Sequence, residues 1–276
     1  MILSDLSSAD IEGMSYNELI GVVGETNRIP GGTRTCSLIA REAMLGDHSL
    51  VLDVGCSTGS TTLDLTRMSR CRAIGVDIND LSIQTARQRA SALGIERAMF
   101  QKEDATSLSF PDGQFDVVVC GNVTALVHDS SAALAEYSRV LVGNGLLVAV
   151  PMYYIKEPSP ALVDEVSSTI QVSITPQYRQ DWVEFYDVPG FEPWCSAHFA
   201  FDDIPESRVV AYCDEMLAQT HLDSLSSDAQ QMLDRRYRAA MDCFRRNLAL
   251  MGFTVLMLRK SSLSLDPELF TASPTP

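Results

Sequence analysis

The sequence predicts an α/β protein: a seven-stranded, mostly parallel, doubly wound sheet with helical insertions that form a lid. Three observations predict it. Apolar β-rich runs alternate with helical stretches between residues 50 and 155. The runs are nearly continuous in apolar residues, the pattern of strands covered on both faces of a parallel sheet. The first run, Val51-Leu52-Asp53-Val54, passes into the glycine-rich turn Gly55-Cys56-Ser57-Thr58-Gly59 and then a helix-like stretch. Glycines let backbone approach a ligand closely, and a helix N-terminus offers unpaired N–H groups to a negative group. Open α/β sheets bind nucleotide-like cofactors at this place, the carboxyl ends of their strands.

The elements follow in order. Residues 1–12 are polar and read as a loose lead-in. A short helix is expected over Tyr16–Val23, then a turn through Pro30-Gly31-Gly32, then a helix over 36–45 stopped by Gly46. Residues 1–49 would make a helical cover. The core is expected over 50–155. After the glycine turn comes a helix at Ser60–Ser69, and a second strand, Arg72-Ala73-Ile74-Gly75-Val76-Asp77-Ile78. A helix over 80–93 carries Ile83, Ala86, Ala90 and Leu93 at helical spacing and stops at Gly94. The third strand spans 98–105. The fourth, 115–122, follows the turn Phe110-Pro111-Asp112-Gly113. A helix over 130–141 leads to the fifth strand at 145–151.

The second half, 156–260, is read as the rest of the sheet with inserted lid helices at 158–172, 177–186, 204–222 and 227–250. A sixth strand is expected at 194–201 and a seventh at 252–260. Ser227 and Gln230 suggest a capping box. The stripe Leu233, Tyr237, Ala240, Met241, Phe244 and Leu248 reads as core packing. Residues 261–276, rich in Ser, Pro and Thr, read as a disordered tail.

Composition narrows the function. The net charge of −15 repels polyanions, so DNA, RNA and anionic membranes are poor partners. No apolar run is long enough to span a membrane. Met1-Ile2-Leu3-Ser4-Asp5 lacks the basic-then-apolar order of a signal peptide, which gives a cytoplasmic expectation. The seven cysteines form no C-x-x-C pair, and no histidine cluster has metal-ligand spacing, so no metal site is expected. Arg235-Arg236-Tyr237-Arg238 through Arg245-Arg246 reads as a solvated helix face. Exposed lid helices on an acidic protein leave a homodimer open.

The wording D-x-G-x-S-x-G at 53–59 resembles the first motif of class I S-adenosylmethionine (SAM)-dependent methyltransferases, with Ser57 at the usual middle glycine. The resemblance is strong over 50–155 and looser elsewhere. It implies SAM as the cofactor, held by Gly55, Cys56, Ser57 and Gly59. Asp77 would accept both ribose hydroxyls and Ile78 would pack on adenine. Asp104 would accept from the adenine amine, and the Ala105 N–H would donate to the ring. Asn122 and Val123 would lie beside the methyl group. An NAD-binding domain also places an acid near Asp77. The missing second glycine of G-x-G and the Glu103-Asp104-Ala105 ending argue against it.

The implied reaction is methyl transfer to a small-molecule N, O or C acceptor. A SAM user that transfers another group, an NAD- or nucleotide-binding oxidoreductase and a non-catalytic scaffold are the alternatives. Acceptor-side candidates are Tyr16, Asn122, Thr124, His128, Tyr153, Tyr154, Trp182 and His198. His128, Tyr153 and Tyr16 are the first choices for catalytic roles, His128 as a base. At most one of Tyr153 and Tyr154 should face the pocket. His198, Trp182 and Trp194 are expected to pack in the core. Gly121-Asn122-Val123-Thr124 replaces the Asn/Asp-Pro-Pro-Tyr of enzymes that methylate adenine or glutamine amines.

Overall fold

Five parallel strands carry the centre of the structure, a computed structural model that describes residues 3–261. They are β1 (Leu50–Val54), β2 (Arg72–Asp77), β3 (Ala98–Lys102), β4 (Phe115–Cys120) and β5 (Leu141–Ala149), in the order β3-β2-β1-β4-β5. β1 and β4 end before a glycine, β2 and β3 end on a charged residue, and β5 ends two residues before Pro151. β3 stops at Lys102, so Glu103, Asp104 and Ala105 lie in the turn beyond it rather than in the strand.

Three more segments complete the sheet: β6 (Met152–Tyr154), β7 (Phe191–Ala200) and β8 (Met251–Lys260). β8 runs antiparallel to β5 and to β6, and β7 takes its other edge along the full length. Leu146 to Ala149 and Met152 to Tyr154 face successive residues of β8, so β6 is the continuation of β5 past Pro151. Proline has no N–H for the ladder, and the pairing lapses there. The Thr254 N–H still bonds to the Pro151 carbonyl at 3.1 Å. The seven expected sheet positions are therefore filled, one of them by two strand pieces.

Period-two alternation sorts side chains between the faces. Leu52, Val54, Val118, Cys120, Leu147 and Ala149 join one core with Tyr137 of α6 (Ser130–Val140) and Trp182 and Tyr186 of α8 (Arg179–Tyr186). Val51, Val117, Val119, Leu146 and Val148 join another with Cys36 and Ile39 of α3 (Gly32–Glu42) and Leu65 of α4 (Ser60–Ser69). α5 (Asp80–Ala92) packs Ile83, Ala86 and Ala90 against Leu63 and Phe100.

A third core is built from helices far apart in the sequence. α1 (Ser8–Gly13) and α2 (Tyr16–Val23) supply Ile11, Leu19, Val22 and Val23, with Leu6 and Met14 beside them. α9 (Glu206–Leu217) and α10 (Ser227–Leu248) supply Cys213, Met216, Leu233 and Tyr237. Residues 3–12 are thus not a loose lead-in. Leu3–Asp5 is a 3-10 turn, Ser7 and Asp10 form a capping box, and Ile11 is fully buried. A short polar segment folds here because α10 offers its few apolar residues a face to cover. α7 (Pro160–Ile170) docks on α10 separately, through Leu162, Val166 and Cys243.

Smaller expectations also change. The α10 cap is Ser226, which accepts from the Ala229 N–H, while Gln230 donates to the Leu222 and Leu225 carbonyls. Trp194 is not in the core: it is 45% exposed, with Arg259 5.6 Å over its ring. His198 is likewise exposed, its Nδ1 2.8 Å from Thr254 Oγ1. Both lie on β7, which pairs with β8 alone and has no fully buried residue along its length. Arg245 and Arg246 pair with Asp242 and Glu165 on the helix surface. The tail expected at 261–276 lies outside the described residues apart from Ser261.

Gly59 gives a test of packing. It has φ +82°, and a Cβ there would meet Ala86 and Phe100 at 2.8 Å. Gly59→Ala should destabilise the fold by about 1–3 kcal/mol, from overpacking and an unfavourable φ. A urea midpoint matching wild type would show that α5 yields freely.

Candidate active site

The glycine loop turns back on the sheet immediately after β1. Gly55 and Cys56 N–H groups both donate to the Val76 carbonyl of β2, at 2.8 and 2.9 Å. Gly55 has φ +71°, and a Cβ there would strike Val123 at 2.6 Å. Ser57 keeps the left-handed backbone, φ +49°, at the position where the motif usually has glycine. Gly59 then opens α4 with no side chain capping its first turn. The loop and helix start thus present backbone to a ligand.

Asp77 at the end of β2 is fixed by backbone. Its Oδ2 accepts from Ser57 N–H and its Oδ1 from Asn79 N–H, each at 2.9 Å. Each carboxylate oxygen retains a second lone pair. Burial pushes its pKa up. The helix-capping role falls to Asn79, whose Oδ1 accepts from Ser82 N–H at 3.0 Å. Next to it, Ile78 is 66% exposed, an apolar side chain without a covering partner. An open depression lined by Glu18, Ile78, Asn79, Asp80, Leu81 and Gln84 lies beside this strand end.

Asp104 is exposed, and its Oδ1 accepts from Thr106 N–H and Oγ1 at 2.9 and 2.7 Å. Those bonds hold its pKa below the usual value. Ala105 packs against the α6-side core. Asn122 spends its Oδ1 on the Met152 N–H, at 2.9 Å, tying β6 to the end of β4. Val123 fills the space over Gly55.

Asp53 opens the D-x-G-x-S-x-G wording read from the sequence, whereas Arg89, Asn27, Ile29 and Glu25 were not singled out there. Asp53 is buried and accepts from Thr62 Oγ1 at 2.5 Å; burial, with a smaller push from Asp77, raises its pKa to about 7. Arg89 of α5 donates to the Thr58 carbonyl, Thr58 Oγ1 and Ser60 Oγ, at 3.0, 2.6 and 3.1 Å, and also to the Gly24 carbonyl. Asn27 donates to Ser57 Oγ at 3.4 Å, and the Ile29 N–H donates to Thr61 Oγ1 at 2.9 Å. Glu25 accepts from Tyr16, Tyr212 and Tyr237. Residues 24–29 are stitched across the glycine loop by these bonds. No local pattern announces them, because the partners lie on separate elements.

The acceptor-side candidates are scattered. Tyr16 is half-buried, edge-on to Phe244 at 4.6 Å, and donates to Glu25 Oε2 at 3.4 Å. Tyr153 is buried in the sheet core; its hydroxyl accepts from Thr254 Oγ1 at 3.1 Å and reaches the Phe253 carbonyl at 3.5 Å. Tyr154 donates to Asn247 Oδ1 at 2.7 Å. Thr124 is buried, 3.5 Å from the Tyr137 hydroxyl, and Trp182 donates to the Met152 carbonyl at 3.0 Å. His128 is exposed ahead of α6 and has no hydrogen bond or ion pair among the described residues. The fold therefore joins Tyr16 to the cover over the loop, but gives His128 no contact there. Among the described residues no group of three or more metal-binding side chains occurs.

Comparison with known proteins gives this geometry a family. Residues 51–145 match the methyltransferase domain family. The match spans the glycine loop and β1 to β4, the stretch whose wording resembles class I SAM-dependent methyltransferases. It is 33% identical over 108 residues to the uncharacterised methyltransferase YcgJ of Bacillus subtilis, covering 39% of this chain and 42% of that one. An uncharacterised Haemophilus influenzae protein is 27% identical over 172 residues, 61% of this chain and 68% of that one. The chain thus spans under half of YcgJ and about two thirds of the Haemophilus protein. In fold it resembles MccD (TM-score 0.69, 22% identity, 85% of this chain and 100% of that one). It also resembles the [4+2]-cyclase SpnF (TM-score 0.62, 22% identity, 83% and 80%). The family's cofactor is SAM. The glycine cradle, the two-oxygen acceptor at Asp77 and the bare Ile78 fit its adenosine and ribose.

Asp53 makes stability depend on pH. Its pKa rises from an ordinary 3.8 to about 7 on folding, so the fold favours the neutral acid. That contribution is full below the unfolded value and is lost as pH rises through about 7. Asp53→Asn keeps an acceptor for Thr62 and removes the ionisation. It should flatten the fall in stability across that range, measured by urea denaturation at a series of pH values. An unchanged slope would remove Asp53 as its source.

Proposed function

We propose that the protein transfers the methyl group of SAM to a small-molecule acceptor held between the lid helices and the carboxyl ends of β4 and β5. The observation that carries this reading is the stitching of residues 24–29 over the glycine loop, beside Asp77 and Ile78. That arrangement encloses a ligand on a loop whose backbone is already folded to receive one. Bound SAM supplies a methyl group activated by the positive sulfur. The chain has to hold the cofactor, align the acceptor and exclude water. Gly55, Cys56, Ser57 and Gly59 form the cradle, Asp77 takes the ribose, and Ile78, Asp104 and Ala105 surround adenine. Asn122 and Val123 shape the floor beneath the methyl.

A proton acceptor is needed only where the acceptor atom must lose a proton. Tyr16 is supported for that side of the pocket by its place in the cover and its bond to Glu25. His128 is supported only by its free ring beyond Val123, and Tyr153 only by its position after β5. The acidic surface disfavours nucleic acid as acceptor, and no helix among the described residues is long and apolar enough to cross a membrane.

A second reading is a SAM-fold enzyme with another reaction. The likeness to the [4+2]-cyclase SpnF favours keeping it, because this fold hosts more than one chemistry.

Titration calorimetry with SAM, its demethylated product S-adenosylhomocysteine and NAD tests the assignment. Binding of the first two and none of NAD is expected; binding of NAD alone would overturn it. Asp77→Ala should weaken SAM binding by about 1–3 kcal/mol, the loss of hydrogen bonds to a charged acceptor. Unchanged affinity would remove Asp77 from the ribose. Gly55→Val, which drives a side chain into Val123, should abolish binding and leave the circular dichroism spectrum native; normal binding would take the loop out of the cofactor site.

A further inference from the structure

Glu25 follows Gly24, the left-handed cap of α2, and its side chain is only 8% exposed. Three phenols converge on it. Tyr237 of α10 donates to Oε2 at 3.0 Å, Tyr212 of α9 to Oε1 at 3.2 Å, and Tyr16 of α2 to Oε2 at 3.4 Å. No ion pair to Glu25 occurs among the described residues. A buried carboxyl is costly unless donors surround it, and Arg89, near but not in an ion pair, offsets only part of that cost. The hydroxyls meet that need, and burial beside Glu25 keeps them protonated, with Tyr212 pushed up to about 12.

The backbone of the same residue faces the other way in function. The Glu25 carbonyl accepts from Thr58 Oγ1 at 2.5 Å. Arg89 braces this junction, bonding to the Gly24 carbonyl and to both oxygens of Thr58. Nearby, His221 Nε2 lies 2.9 Å from the Val22 carbonyl, so the turn after α9 also grips the end of α2. One residue therefore touches two lid helices through its carboxyl group and the glycine loop through its carbonyl.

We infer that Glu25 is a positioning residue for cofactor binding, which ties α2, α9 and α10 to the glycine loop so that lid and loop order together. The inference rests on the reading of that loop as the SAM site. It assigns Glu25 no contact with the reacting atoms. Its consequence is that the lid is coupled to the cofactor through the polar centre of the helical core.

Hydrogen exchange on the full chain tests the coupling without ligand. Tyr237→Phe and Tyr212→Phe each delete one lid hydroxyl from Glu25. Each should speed exchange at residues 57–60 as well as in its own helix. Faster exchange in the helices alone would overturn the inference. Tyr212 is half-buried, so its variant remains informative if Tyr237→Phe fails to fold.

Addition of SAM supplies the second arm. In wild type, SAM should slow exchange in α9 and α10 as well as at residues 55–59. Glu25→Gln should raise the SAM dissociation constant about tenfold, a typical cost for weakening bonds to a charged acceptor. It should also abolish the slowing in α9 and α10 while leaving that at 55–59. A purely structural Glu25 predicts lower thermal stability with affinity and lid protection unchanged, and that result would overturn the inference. If wild type does not bind SAM, the proposed function fails instead, and the ligand-free comparison alone decides the coupling.

Discussion

Two consecutive amides, Gly55 and Cys56, bond to one carbonyl of the neighbouring strand, Val76, and the rest of the site depends on that return of the chain. It is achievable only because Gly55, Ser57 and Gly59 adopt left-handed backbone, which costs glycine little and serine modestly. Once the loop is folded back, Ser57 N–H meets Asp77, α4 starts at a fixed angle, and Val123 closes over Gly55. Bulk at these positions is excluded by neighbours on β3, α5 and the turn after β4. The loop is therefore specified from several directions at once. That is why its geometry survives serine at the middle position.

Three acidic residues are drawn out of water around this loop, each by a different arrangement. Asp53 lies below it with one hydroxyl partner and has its pKa raised most clearly. Asp77 stands beside it, held by two backbone amides that oppose the cost of burial. Glu25 lies over it, surrounded by phenols. Burial raises the pKa of all three, which opposes their ionisation. Arg89, at the junction of Gly24, Thr58 and Ser60, is the cation built into the same place, and burial lowers its pKa.

The centre of the fold was legible because its signals are local. Continuous apolar runs placed β1, β2 and β4, and Ser60–Ser69 and Tyr16–Val23 begin and end where residue type placed them. The glycine loop was legible for the same reason: a turn needing left-handed backbone leaves its mark in glycines. Elements at the rim were read less well. Trp194 and His198 sit in an apolar run but on an edge strand, and a run of residue types does not say whether a sheet edge is covered. Leu6, Ile11 and Met14 are too few to signal a helix core, and they pack only because α10 arrives from the other end of the chain.

The sequence by itself determined the parallel core, the glycine turn, the acid at the end of β2 and an acidic composition. These follow from backbone preference, side-chain period and charge, which act over a few residues. Only the tertiary structure decided that α1 and α2 share one helical core with α9 and α10, that Arg89 clamps the cover to the loop, and that Glu25 collects Tyr16, Tyr212 and Tyr237. Glu25 lies 187 residues from Tyr212 and 212 from Tyr237. Such hydrogen bonds exist because packing brings the helices together and burial then requires each polar group to find a partner. Neither condition is written in the spacing of the residues that meet.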